Sequence, residues 1–133
     1  MRKTIFLILL IFVMTSFGQE TLFEKYKEID GVEIKKAIVE CNGNQVLTFS
    51  FRNDNSHSVK LSWYEEVWMD GICKQNGSGE ENFRTLTLSA NQIIEGDCDF
   101  RESFYIGSKI KRGKRFSLLT FFDFKNLIVE NLN

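Results

Sequence analysis

The side chains able to do chemistry are few and widely spaced. His57 is the only histidine in the chain. It lies in "NDNSHS", a run of turn-forming residues. A Ser–His or Cys–His mechanism would need it as the base. Cys41, Cys73 and Cys98 lack the paired C-x-x-C spacing of a zinc site and have one histidine to help them. Glu95, Asp97 and Asp99, with Glu80 and Glu81, are hard oxygen ligands that a loop rim could turn toward calcium. Their pattern fits no calcium-loop signature and reads more simply as solvated loop acids. Glu65 and Glu66 are neighbours, so on a strand they face opposite ways and make no acid–base pair. "NGSGEEN" lacks the Gly-Lys-Ser/Thr ending of a phosphate loop and is not a G-x-S-x-G elbow. The expectation is a protein that is not an enzyme and needs no metal or cofactor.

The densest charge lies in "SKIKRGKRF", where Lys109, Lys111, Arg112, Lys114 and Arg115 surround Gly113. Such a cluster can hold a polyanion. With no aromatic interleaved as a stacking platform, the ordinary reading is a charged hairpin tip that discourages edge association.

Strands must position these groups. "VEIKKAIVEC" (32–41) alternates, with a phase slip at Lys35-Lys36 that predicts a bulge. "NGNQ" carries the Asn-Gly mark of a tight hairpin. Leu47, Phe49 and Phe51 alternate with polar neighbours, and so do Val59, Leu61 and Trp63. The pattern predicts an antiparallel hairpin of 45–52 and 58–68 turning at "NDNS". Trp63 is expected in the core, and Trp68 at its edge or on the surface. Residues 70–82 read as a long polar loop, a candidate binding element. Leu86 and Leu88, then Ile93 and Ile94, resume the alternation around a turn at Ser89 to Gln92. "FYIGSKI" (104–110) and "FSLLTFFDFKNLIVEN" (116–131) complete the set, the last bulged near Asp123 to Asn126. Residues 19–31 form a lead-in with helical spacing at Leu22, Phe23, Tyr26 and Ile29. About seven strands with turns between them predict an all-β fold, a single antiparallel sandwich of immunoglobulin or fibronectin type over 32–133. A small barrel is the alternative.

Traced as a meander, the chain brings all three cysteines to one rim. Cys73 and Cys98, both in polar turns, are the favoured disulfide. Cys41 continues an apolar face and is expected to be a free thiol. Three reduced thiols or an intermolecular bridge are the other arrangements. His57 falls at the opposite rim, which argues against Cys–His catalysis.

The first residues, "MRKTIFLILLIFVMTSFGQE", have a positive start, an apolar run and small residues before Gln19. This is the layout of a secretory signal cleaved after residue 18. The run is too short for a spanning helix, and no cysteine follows it to carry a lipid. Removing Arg2 and Lys3 from the 17 basic residues leaves 15 against 18 acidic, a net charge of −3. That balance argues against a nucleic-acid partner. About 115 residues remain, enough for one core. An exported location, periplasmic, cell-surface or extracellular, favours a disulfide.

Three long stretches, "GVEIKKAIVECNGNQVLTFSFRNDNSHSVKLSWYEEVWMDGIC", "LTLSANQIIEGDC" and "LTFFDFKNLIVE", together with the signal ending "SFGQ", resemble small uncharacterised exported proteins of Bacteroidetes bacteria. The resemblance implies export and a β-sandwich and carries no catalytic residue. The expected function is therefore an exported, non-enzymatic interaction or structural module with a protein or envelope partner, acting at the cysteine-side rim. A ligand-binding module for a polyanion or calcium and an enzyme inhibitor are the alternatives.

Overall fold

Three Asx-Gly pairs set the first turns. Asp30-Gly31, Asn42-Gly43 and Asp70-Gly71 all hold positive φ, between 46° and 80°, the backbone of two-residue hairpin turns. They join β1 (Glu24–Ile29) to β2 (Val32–Cys41), β2 to β3 (Asn44–Asn53), and β4 (Ser58–Met69) to β5 (Ile72–Asn76). The remaining strands are β6 (Phe83–Leu88), β7 (Ile93–Glu95), β8 (Tyr105–Arg112) and β9 (Arg115–Leu132), with a short 3-10 turn at Glu80–Asn82. The computed structural model describes residues 21–99 and 105–132. The signal segment 1–18 and Phe104, expected to open a strand, lie outside the described residues. Within them the fold is all-β and antiparallel, with nine strands rather than seven and no α-helix.

The two extra strands come from segments read as irregular. The lead-in is not helical: Tyr26 is the extra residue of a bulge in β1, which pairs along β2. The expected bulge at Lys35-Lys36 is absent from the β2–β3 ladder, which runs unbroken from Val32↔Asn53 to Cys41↔Asn44. The loop 70–82 contains β5, folded back on β4 by the Asp70-Gly71 turn. The irregularity expected near Asp123 to Asn126 is present. The partners of β4 jump from Lys125 to Ile128, and Asn126 has φ 52°.

The larger departure is at "NDNS". β3 and β4 are not partners; the sheet runs β1-β2-β3-β8-β9-β4-β5. The chain arches from one limb of a curled sheet to the other instead of turning back. Asn53, fully buried, holds the arch. Its Nδ2 donates to the carbonyls of His57 (2.9 Å) and Ser89 (3.0 Å) and reaches Leu88 O at 3.5 Å. Its Oδ1 accepts from the Asn55 backbone N–H and side-chain amide, both at 3.0 Å. One side chain thus satisfies carbonyls that a hairpin ladder would otherwise have paired.

Once the limbs face each other, the alternating aromatics meet across them. Trp63 of β4, fully buried as expected, stacks on Phe51 at 5.7 Å and on Phe124 at 4.9 Å between ring centroids. Phe49 completes the cluster at 4.8 Å from Phe124. Val32, Ile34, Val59, Leu61 and Leu88 surround these rings and are fully buried.

Two interior strands, β3 and β4, change partner along their length. Along β3, the partner changes from Glu95 of β7, opposite Ser50, to Tyr105 of β8, opposite Thr48. Along β4, it changes from Phe83 of β6, opposite Tyr64, to Asn76 of β5, opposite Glu66.

This topology overturns the expected disulfide. Cys41 pairs with Cys98, and Cys73 is an exposed free thiol. The arch puts β5, and Cys73 with it, beside β4. The chain leaving β7 stays beside β3: the Gly96 N–H bonds to Phe49 O at 2.8 Å, and Cys98 reaches the end of β2 at Cys41. The bridge closes a sequence separation of 57 residues.

Two outcomes follow. Asn53→Ala strands buried carbonyls and is expected to cost about 3 kcal/mol, read as a lower urea midpoint at unchanged m-value. Cys41→Ser is expected to cost about 4 kcal/mol on the chain-entropy estimate, while Cys73→Ser stays near neutral. Under native conditions one thiol per chain should react with iodoacetamide, and Cys73→Ser should abolish that reaction.

Candidate functional site

The residues singled out for chemistry do not converge. His57 lies on the arch, its Nε2 2.9 Å from Asn131 Oδ1. The β2–β3 ladder separates it from the disulfide by nearly the length of β2, roughly 30 Å at strand rise. Glu65 and Glu66 face opposite ways, as read. Glu65 is buried and its Oε2 lies 3.3 Å from Arg84 Nη2. Glu66 is on the other face, 2.7 Å from Lys125 Nζ, and accepts the Trp68 indole N–H at 3.0 Å. The Lys125 hydrogen bond, then that of Trp68, holds the Glu66 carboxyl below the usual range.

The calcium candidates are split between the limbs. Glu80 and Glu81 lie beside β4, Glu95 ends β7 beside β3, and Asp97 Oδ1 accepts the Asp99 backbone N–H at 2.8 Å. No three His, Cys, Asp or Glu side chains gather as a metal site among the described residues. The basic residues Lys109, Lys111, Arg112, Lys114 and Arg115 do come together, on the β8–β9 hairpin.

An opening with a mostly apolar lining lies elsewhere. The limbs close tightly around Trp63 but diverge past Phe49, leaving an open groove of about 750 Å³. Its walls are Leu22 and Phe23 ahead of β1, Ile38 on β2, Leu47 on β3, and Leu119, Phe121 and Phe122 on β9; Glu24, Lys36, Ala37, Ser108 and Thr120 complete it. The volume is ordinary for a small-molecule site. Ile38 shares the inward parity of Val32, Ile34 and Lys36, yet it is 60% exposed. Its side chain is open to water within the groove, with Leu119, Phe121 and Phe122 of β9 among the other walls. Lys36 stands at the groove wall, its ammonium 5.8 Å from the Tyr26 ring centroid, 5.7 Å from that of Phe122, and 3.5 Å from the exposed Glu24 carboxylate. A cation over two aromatic faces beside an apolar trough is suited to an amphiphile with a negative end.

A polar latch fixes the groove's near side. Asp123 of β9 accepts from Lys27 Nζ at 2.9 Å and from the Tyr26 hydroxyl at 3.1 Å, and Lys27 also reaches Phe124 O at 3.3 Å. The bulge in β1 lets these two consecutive residues meet one carboxylate. Burial pushes the Asp123 carboxyl up, but the Lys27 hydrogen bond and charge outweigh it and leave it lowered. Burial, then the Asp123 charge, pushes the Tyr26 hydroxyl up, so it stays a donor. A second cleft, of about 510 Å³, lies between β8 and β4–β6 and contains Glu65, Arg84, Lys74 and Arg112.

Sequence reading missed the groove. Its one sequence signal was the slip at Lys35-Lys36, read as a bulge when it marked where the inner face of β2 stops being covered. Against known proteins, no family, no curated relative and no solved structure matches the chain. The Cys41–Cys98 disulfide is compatible with an exported protein, and no helix among the described residues is long and apolar enough to cross a membrane.

Because the folded Asp123 carboxyl is lowered, its stabilisation is present above the unfolded carboxylate range, about pH 4, and is lost as pH falls through the folded value. Asp123→Asn should therefore be clearly less stable than the parent at pH 7, with the difference shrinking by pH 3. An unchanged difference across that range in paired unfolding curves would remove the latch from this account.

Proposed function

We propose that this chain is an exported, non-enzymatic binding module, a two-layer β-sandwich that holds a single-chain amphiphile with an anionic end in its open groove. One observation carries the reading: the inward-facing Ile38 is uncovered, in a trough whose other walls are mostly aromatic and aliphatic. Placing an acyl chain there removes apolar surface from water, at about 25 cal/mol per Å². Lys36 supplies the charge that orients the chain. The disulfide and the signal-like first residues support export, where free and membrane-derived amphiphiles are met.

The test uses displacement of an apolar fluorescent dye by laurate and by dodecanol. The parent protein should bind the dye and release it to both. Ile38→Glu, at a site already exposed to water, should abolish dye binding without lowering thermal stability. Lys36→Met should weaken laurate about tenfold and leave dodecanol unchanged. Dye binding indifferent to Ile38→Glu would refute the groove as the site.

A further inference from the structure

The β8–β9 hairpin carries a second site, independent of what fills the groove. Directly opposed residues of an antiparallel pair point to the same side, so the pairs Lys109↔Leu118 and Lys111↔Phe116 put two lysines, a leucine and a phenylalanine on one face. Leu118 is 47% and Phe116 46% exposed. The Lys109 ammonium lies 4.6 Å from the Phe116 ring centroid. The aromatic that the sequence lacked between the basic residues is thus supplied by the neighbouring strand. At the tip Arg112 stands opposite Arg115, a like-charge pair that works against the fold.

Among the described residues, no carboxylate lies within ion-pair distance of Lys109, Lys111, Arg112, Lys114 or Arg115. From Tyr105 through Phe122 the chain has no acidic residue. A tip that only needed solubility would not expose Phe116 and Leu118 beside its cations.

We propose that this hairpin docks the protein on an anionic phospholipid surface. Phe116 and Leu118 enter the headgroup boundary, and the lysines and arginines meet lipid phosphates. Cations beside exposed apolar side chains are the pairing that interfacial elements use. The opposite face of the hairpin is anchored, since Ile110 packs against the core. Ser108 and Leu119, which flank the hairpin, line the groove, so docking would bring the groove mouth to the lipid.

Flotation of the protein with phosphatidylcholine vesicles, with and without phosphatidylglycerol, tests this at low and raised salt. Binding is expected only with phosphatidylglycerol and should fall as salt rises. Replacing Lys111, Arg112, Lys114 and Arg115 by Gln should weaken it on the order of a few hundredfold, at roughly fivefold per cation. Phe116→Ser with Leu118→Ser should weaken it about tenfold and keep the salt dependence. All four cations and both apolar residues are exposed, so variant and parent melting curves should coincide. Equal binding to pure phosphatidylcholine, or full binding by the glutamine variant, overturns the proposal. Vesicle binding that survives loss of Phe116 and Leu118 also overturns it, in favour of a soluble polyanion. Ile38→Glu should bind vesicles as the parent does, which separates this result from the fate of the groove reading.

Discussion

Asn53 is the point at which the chain leaves one limb of the curled sheet for the other. A two-residue turn after β3 would lay β4 alongside it, and the aromatics of both strands would share one side of a single flat layer. The buried amide of Asn53 instead takes up the carbonyls of His57 and Ser89 and fixes the Asn55 backbone. The chain then crosses to the other limb. A buried amide left without partners costs about 1–3 kcal/mol, more than a made bond's net worth, so the geometry of the arch is specified sharply. Its bond to Ser89 also ties in the turn between β6 and β7, and one residue therefore joins the β3–β4 and β6–β7 crossings between the limbs.

The arch determines where the molecule is closed and where it is open. Close to it, Phe51, Trp63 and Phe124 fill the space between limbs in stacked contact. Farther along β2 the inward positions become Lys36 and Ile38, and β9 bends away as Thr120 and Asn126 interrupt its pairing with β4. Phe122 of β9 still meets Phe49 at 5.8 Å and Tyr26 at 5.1 Å between ring centroids there, and past it Ile38 stays exposed. The Tyr26–Lys27–Asp123 latch then keeps the first strand against the free side of β9, so the groove keeps a wall instead of fraying. A core that continued at the same density would be more stable and would have no groove. The disulfide has a complementary place. It fastens the chain after β7 to the end of β2, on the limb opposite Cys73.

How much of this was legible in the sequence depended on range. Period-2 alternation placed the strand interiors of β2, β3, β4 and β9, and the adjacency of Glu65 and Glu66 put them on opposite faces. Trp63 was readable as core because its own-face neighbours Leu61 and Val59 are apolar. Partners across the molecule were not readable in this way. "NDNS" has the composition of a hairpin turn, and nothing local distinguishes a turn from an arch; the difference lies in Ser89, distant in sequence. The cysteine pairing failed for the same reason, because its derivation followed a meander that the arch breaks. The groove was least legible of all. It is an absence of packing opposite Ile38, and a sequence records side chains, not gaps between them.

Charge completes the picture. The whole chain is nearly neutral, at −1, yet the segment Tyr105–Phe122 has only cations. One carboxylate, Asp70, lies beside the hairpin, its Oδ1 accepting the Leu118 N–H at 2.9 Å; at physiological salt fields decay over about 8 Å, so acids farther away do not cancel the patch at the tip. A ligand or surface approaching β8 and β9 meets a local positive field over exposed apolar side chains. One approaching the arch meets the paired charges of Arg52 and Asp54. Net charge alone would predict a protein repelled by an anionic surface. The distribution of charge predicts one that turns a single end toward it, and that end is the one where the two limbs stand open.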